Sequence, residues 1–227
     1  PLTCGNEKRP CGVCEIGSRG ELRDVEIASK EPGHEARFSL HGHLYSSPMR
    51  ELFKRIQKAN ISIQHACEVG VYLPESSNIL EFIQGGVRGT LVEANPEMVE
   101  KIHSYFAEYP QLLVHPYAIW DSEGTITLAR AESSTFVAAL GSSPALKNDN
   151  YRFAEQNSIT VESRTFGQLD DGTIELLSID IEGADWYVLK HLVSRPKVIS
   201  IETHGKYYLN PFLTEITQWM EREGYTA

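Results

Sequence analysis

The sequence lacks long apolar runs, and it has fewer positive than negative charges. No segment approaches the roughly 20 consecutive apolar residues that a membrane-spanning helix needs. The 227 residues include 31 acidic and 21 basic side chains, which give a net charge of -10. A chain this acidic, with its basic residues scattered, repels the phosphate backbone of nucleic acids. We therefore expect a protein that binds neither membranes nor nucleic acids, and we assign it to the cytoplasm by default.

Cysteine is also scarce, with four residues of two kinds. Cys67 lies in an apolar strand pattern, whereas the others lie in a polar N-terminal leader: Cys4, Cys11 and Cys14. The last two are spaced as half of a structural zinc site. Three histidines follow that could supply a fourth ligand: His34, His41 and His43. The pattern leaves three alternatives, namely a structural zinc ion, a disulfide in an oxidising compartment, or free thiols.

The sequence has no G-x-G-x-x-G fingerprint, the motif with which a dinucleotide-binding loop approaches a pyrophosphate. Gly70 follows an apolar strand pattern, but the next four residues, VYLP, include no further glycine. A Tyr-x-x-x-Lys pair on a suitable helix is missing as well. Both absences argue against NAD or NADP, so a nucleotide-sugar oxidoreductase is only an alternative.

Apolar runs of strand length alternate with segments of helical spacing. The predicted strands in this alternation are residues 61–69, 90–93, 112–115, 174–179 and 198–201, and the predicted helices are 48–56, 76–83, 95–108, 184–193 and 212–223. Such alternation predicts an α/β fold with a mostly parallel sheet and helices on both faces. We expect this domain over residues 46–227, after an irregular, cysteine-containing extension over residues 1–45.

The middle of the chain is less regular. Residues 125–128 and 159–161 predict short strands, and residues 131–158 are polar with little regular pattern. That polar segment could cover the carboxyl edge of the sheet and bind an acceptor substrate through Ser133, Ser134, Thr135, Tyr151 and Arg152. The alternative is a solvated loop.

Asp180 and Glu182 follow the buried-strand pattern LLSI and precede one glycine and an amphipathic helix. Charged groups at the end of a strand buried on both faces are candidates for chemistry. Each one alone could instead serve the start of the following helix. His204 follows the next predicted strand, where it can accept a proton near neutral pH or have only a structural role.

Other strand ends outline a site of nucleoside size. Gly70 allows a tight turn after the first strand. Glu93 ends the second strand, 25 positions after Glu68, where an acidic side chain in nucleotide-binding α/β folds binds the ribose hydroxyls. Asp121 follows the third strand beside the aromatic Trp120. Because ligands bind at the carboxyl ends of parallel strands, we expect these residues to lie at one edge.

These motifs resemble those of FkbM-type S-adenosylmethionine-dependent methyltransferases. They are EVG at residues 68–70, LVEANP at 91–96, AIWD at 118–121 and LSIDIEGA at 177–184. The resemblance covers roughly residues 61–225 and implies a Rossmann-like class I methyltransferase fold. It also implies cofactor positions, with Glu68 and Gly70 beside the methionine part, Glu93 beside the ribose and Asp121 beside the adenine. Asp180 and Glu182 would then face the transferring methyl group.

The sequence departs from that family in two places. Family members commonly carry Asp-x-Gly-Ala-Asn-x-Gly in the first loop, and Pro74 stands where their second glycine would be. Methyltransferases of this fold also usually have two more strands after the helix predicted at residues 212–223. Either those strands are missing from this sequence, or a shortened sheet leaves an edge that a partner or the leader has to cover.

The resemblance and the strand-end residues together predict a methyltransferase that acts on a hydroxyl group of a small-molecule or sugar acceptor. S-adenosylmethionine is the expected cofactor, Asp180 or His204 the expected base, and Glu182 the residue that orients the acceptor or a bound metal. A non-catalytic binding module of the same fold is the alternative from a different class. A homo-oligomer is compatible with the sequence.

Overall fold

The computed structural model describes residues 50–131, 134–147, 151–152, 154–204 and 207–226, together with the backbone of two strands at 12–15 and 24–29. No helix in these ranges is long and apolar enough to cross a membrane. Cys4 and Cys11 lie outside the described residues, and Cys14 lies in one of the two strands that are described by their backbone alone. The predicted zinc site therefore stays a prediction.

The described strands are, in chain order, β1 (Gly12–Glu15), β2 (Asp24–Ser29), β3 (His65–Val69), β4 (Arg88–Val92), β5 (Leu112–His115), β6 (Ala118–Ile119), β7 (Gly124–Ala131), β8 (Ser134–Val137), β9 (Ser158–Arg164), β10 (Leu176–Ile179) and β11 (Val198–Glu202). The described α-helices are α1 (Glu51–Lys58), α2 (Leu80–Gln84), α3 (Pro96–Tyr105), α4 (Pro144–Lys147), α5 (Trp186–Lys190) and α6 (Leu213–Arg222).

A seven-stranded sheet in the order β1-β2-β11-β10-β3-β4-β5 forms the centre of the fold. Its five strands from β11 to β5 are parallel. Val69 pairs with Val92 on one side and with Ile179 on the other, and Ile179 pairs with Ile201. This register brings the carboxyl ends of β3, β4, β10 and β11 to the same edge, as the sequence predicts.

Alternate residues of the parallel strands are buried against helices on opposite faces. One face packs Cys67 and Leu177 with residues of α5 and α6, among them Leu189 and Trp219. The other face packs Ala66, Leu91 and Leu176 with apolar side chains of α1, α2 and α3: Leu52, Ile56, Phe82, Ile83 and Ile102. Burial on both faces explains why these strands are almost continuously apolar, and it confirms the α/β fold with a mostly parallel sheet.

The leader contributes two strands to the edge of this sheet. β2 pairs antiparallel with β11, and β1 pairs antiparallel with β2. The edge beside β11, which the sequence leaves for a partner or the leader to cover, is therefore covered by the leader. Residues 12–15 and 24–29 are strands rather than irregular chain.

A second, four-stranded sheet has the order β6-β9-β7-β8. β9 and β7 pair antiparallel over six residue pairs, and β8 adds antiparallel to β7. The expectation of an irregular segment at residues 131–158 is wrong in part, because β8 and the one-turn α4 lie within it. The alternation of strands and helices in the sequence does not indicate this second sheet. The strands of the second sheet pair with each other rather than with strands of the parallel sheet.

Candidate functional site

A cavity of about 430 Å³ lies at the carboxyl edge of the central sheet. This volume falls within the range of small-molecule sites, which is about 300–1,000 Å³. Six acidic side chains line it: Glu68, Glu75, Glu93, Asp180, Glu182 and Glu202. The structure thus brings together Gly70 and four of the carboxylates expected from the sequence. Glu202 was not selected from the sequence, although it directly ends a buried strand.

Glu68 is buried at the end of β3, with 2% of its surface exposed. Ser77 Oγ donates to Glu68 Oε2 at 2.5 Å, and the Asn78 backbone N–H donates to Oε1 at 2.9 Å. The pKa of Glu68 is raised to about 7, mainly by burial and in smaller part by the nearby Asp180 charge, while both hydrogen bonds oppose the shift. Glu68 can therefore change its protonation state near neutral pH.

Gly70 has φ +86°, a left-handed conformation that glycine adopts without steric cost. A Cβ atom on Gly70 would lie 1.9 Å from the carbonyl oxygen of Asp180. The Asp180 N–H also donates to the Val69 carbonyl at 2.9 Å, so the ends of β3 and β10 are in close contact. The glycine is therefore required by the neighbouring strand end, in addition to forming part of the cavity wall.

Glu93 fixes the loop that follows β3. Its Oε2 accepts from the backbone N–H groups of Val71 at 3.1 Å and Tyr72 at 2.8 Å, and its Oε1 accepts from Asn95 N–H at 2.8 Å. Tyr72 has φ +57°, which is costly for a residue with a side chain. The hydrogen bond from Tyr72 N–H to Glu93 stabilises this conformation, so Glu93 fixes the course of the loop.

Asp180 and Glu182 lie in a turn between β10 and α5. Asp180 is half-buried, and Glu182 is buried with φ +57°, followed by Gly183 with φ +103°. Two successive left-handed residues bend the chain sharply, and such backbone strain persists where the surroundings stabilise it. Both carboxylates line the cavity as a result.

Asp185, which sequence reasoning missed, holds this turn in place. Its Oδ1 accepts from Ile181 N–H at 3.2 Å, and its Oδ2 accepts from Gly183 N–H at 3.1 Å and from Asn210 Nδ2 at 2.7 Å. Asn210 Nδ2 also donates to the carbonyl of Glu202 at 3.2 Å. The two residues therefore connect the turn after β10 to the end of β11. An acidic residue at the start of a helix is the signal that could have indicated Asp185.

Burial raises the pKa of Asp185 to about 7, and the charge of Asp180 adds to the shift. The hydrogen bonds from Ile181 and Asn210 act in the opposite direction. Asp185 has 1% of its surface exposed, so it does not face solvent. It is placed to position the turn rather than to contact a ligand.

The second sheet forms the opposite wall of the cavity. Ser134, Thr135 and Phe136 line it, as does Leu128 of β7. Of the predicted acceptor-binding residues, Ser133 lies outside the described residues and Arg152 does not line the cavity. Tyr151 also lies away from it; its hydroxyl donates to the Arg130 carbonyl at 3.1 Å and its ring packs edge-on against Phe136.

Asp121 and His204 are not brought into the cavity. Asp121 is exposed, and Lys190 Nζ and His191 Nε2 lie 2.6 Å and 2.9 Å from its Oδ1. The hydrogen bond from Lys190 is the main reason why the pKa of Asp121 is lowered. His204 is half-buried, with its Nδ1 2.6 Å from Thr203 Oγ1. Their adenine-binding and base roles stay predictions that the cavity does not favour.

The charge around the cavity is strongly one-sided. Arg50 is the single cationic side chain among the described residues that line it, against six carboxylates. No group of three or more His, Cys, Asp or Glu side chains in the described part of the chain is arranged to hold a metal ion. The excess of carboxylates favours a ligand that carries positive charge, and Ala118, Leu128 and Phe136 add apolar surface to the wall.

Comparison with protein-family models matches residues 64–227, well over half of the chain, to the Methyltransferase FkbM domain. Comparisons with curated proteins and with solved structures found no match. The matched residues begin just before β3 and include each strand end that forms the cavity, whereas Arg50 precedes them.

Proposed function

Since the chain belongs to the FkbM methyltransferase family, we propose that it transfers a methyl group from S-adenosylmethionine to a hydroxyl group of a small-molecule or sugar acceptor. The central sheet is then that of a Rossmann-like class I methyltransferase. The proposal includes neither a nucleic acid nor a membrane as a partner, and it places the protein in the cytoplasm. The observation that carries the proposal is the cavity in which Glu68, Gly70, Glu93, Asp180 and Glu182 meet.

The residues of the cavity fit this cofactor. S-adenosylmethionine supplies, when bound, a methyl group on a positively charged sulfur, which acidic walls favour. A carboxylate offers about four acceptor positions, and the backbone of residues 71, 72 and 95 occupies three on Glu93. The remaining position suits one ribose hydroxyl. The apolar wall at Ala118, Ile119 and Leu128 suits a flat purine.

Asp180 is the base that the geometry favours. It is half-buried, lines the cavity and sits one residue beyond β10, whereas His204 lies outside the cavity. A positioned base contributes about 10²- to 10⁴-fold to a proton transfer. Glu182 lies in the same turn and orients the acceptor hydroxyl beside Asp180. Holding the acceptor oxygen in line with the methyl group contributes the larger part of the rate acceleration of methyl transfer.

Isothermal titration calorimetry with S-adenosylhomocysteine, followed by methyl-transfer assays with a panel of hydroxylated acceptors, tests this function. We expect Asp180→Asn to lower turnover by about 10²-fold or more while cofactor affinity stays within a few-fold. Glu162→Gln is the matched control, because this carboxylate of β9 is 61% exposed and does not line the cavity.

Unchanged turnover in Asp180→Asn would remove this residue from the mechanism. Failure of the wild-type protein to bind the cofactor product would contradict methyl transfer altogether. That result would favour the non-catalytic binding module, because Pro74 would then have closed the first loop to the cofactor.

A further inference from the structure

Arg50 lies at the start of α1 and lines the cavity near the loop that follows β3. Only 14% of its side chain is exposed. An arginine this deeply buried needs partners for its charge. It is close enough to Glu68 to influence the charge of that carboxyl group. Arg50 therefore brings positive charge to one end of a cavity that is otherwise acidic.

Two contacts fix the guanidinium group in this place. Arg50 Nη1 donates to Glu81 Oε1 at 3.3 Å, and Nη2 donates to the carbonyl of Glu75. The Arg50 backbone N–H donates to the same Glu81 oxygen at 2.9 Å. Behind it, α1 is anchored in the core through Leu52 and Ile56, which are at most 2% exposed. The position of the charge is therefore set by the fold.

These contacts leave capacity for a ligand. A guanidinium group has five N–H donors, and the two side-chain bonds to described residues use two of them. The remaining donors can bind a carboxylate, with which arginine forms strong, often bidentate hydrogen bonds. The ionised acidic residues of the cavity repel such a group, because like charges repel.

We propose that Arg50 binds the carboxylate of the methionine part of S-adenosylmethionine. The helix that precedes the family-matched residues thereby completes the cofactor site, with Glu68 available for the ammonium group of the same amino acid. This inference rests on the proposed function, since it assigns one residue to the cofactor named there. It also gives a role to the one cationic side chain that lines the cavity in the described part of the chain.

Two ligands that differ in the amino-acid group test the inference by calorimetry. S-adenosylhomocysteine carries the carboxylate, and 5′-methylthioadenosine has the same nucleoside but lacks the amino-acid group. We expect Arg50→Gln to weaken S-adenosylhomocysteine binding by about 10- to 100-fold and 5′-methylthioadenosine binding by no more than about twofold. Arg50→Ala should show the same difference, and its two ligands are compared within one preparation, so a partial loss of folded protein cancels.

The matched control is Arg55→Ala on the same helix. Arg55 pairs with Glu51 at 3.2 Å and does not line the cavity, so both ligands should bind this variant as they bind the wild type. Equal weakening of both ligands in the Arg50 variants, or weakening of neither, would overturn the role of Arg50 while leaving methyl transfer intact. A wild-type protein that binds neither ligand would overturn the proposed function and this inference together.

Discussion

Replacement of Gly70 by alanine is the sharpest test of how the strand ends are packed. Two costs can be worked out separately. A residue with a Cβ atom loses about 1–2 kcal/mol in a left-handed conformation, and Gly70 has φ +86°. The new Cβ would also lie 1.9 Å from the Asp180 carbonyl oxygen, so the ends of β3 and β10 must separate. Overpacking of this kind costs about 1–3 kcal/mol.

Gly86 provides a control in which only the first cost applies. It has φ +83°, nearly the same as Gly70, but no atom of a described residue lies within 4 Å of a Cβ placed there. Any change in the entropy of the unfolded chain is the same for both substitutions. The difference between Gly70→Ala and Gly86→Ala therefore isolates the contact between the strand ends.

Urea denaturation and thermal melting of both variants give this difference. We expect Gly86→Ala to lose about 1–2 kcal/mol and Gly70→Ala about 2–5 kcal/mol. The two melting temperatures should then differ by about 2–12 °C. Gly70→Ala should also bind S-adenosylhomocysteine more weakly, because Gly70 forms part of the cavity wall and its new methyl group changes the shape of that wall. Equal stabilities would show that the strand ends separate without cost, and would refute the reasoning.

Two further predictions concern buried carboxyl groups. The pKa of Glu68 is raised from 4.5 to about 7, so the folded state retains a proton that the unfolded chain releases, and stability falls as pH rises through that window. Glu68→Gln should therefore reduce the loss of unfolding free energy between about pH 5 and about pH 8 by about 2–3 kcal/mol in urea titrations; an unchanged pH dependence would contradict the burial argument. Asp185→Asn keeps only one acceptor oxygen for two backbone N–H groups, so it should destabilise the protein by about 1–3 kcal/mol. It should also lower kcat more than it raises KM. An unchanged kcat would show that the turn keeps its position without Asp185.

The parallel strands and most helices could be predicted because burial imposes a pattern on their residues. Residues 112–115 form β5 as predicted, and Asn95-Pro96 starts α3, with Asn95 Oδ1 accepting from the Glu97 N–H at 3.1 Å. Helix α5 begins at Trp186, two residues later than predicted. Glu182 and Gly183, just before the predicted start, adopt left-handed conformations, and Asp185 is the N-cap, so the regular helix begins only after the turn.

The cavity could be predicted in part. Residues that end strands of the parallel sheet meet there, because a common register brings the carboxyl ends of those strands together. Asp121 does not reach the cavity. The chain leaves the parallel sheet after β5, and the next strand, β6, pairs with β9 of the second sheet. Arg50 precedes β3, and Asn210 lies in the irregular chain between β11 and α6, so no periodicity of the sequence indicates that Arg50 lines the cavity or that Asn210 contacts Asp185.

Partial protonation of Glu68 lowers the repulsion among the carboxylates that share the cavity. Six carboxylates at full charge would repel one another strongly in a site of low dielectric. Glu68 in the cavity wall has a pKa of about 7, and so has Asp185 immediately behind the turn, so each carries only part of its charge near neutral pH. A ligand with a positively charged sulfur favours the ionised form of Glu68. We expect binding of the proposed cofactor to release a proton from Glu68, so the ionisation that destabilises the ligand-free fold at high pH increases the attraction of this carboxyl group for a cation.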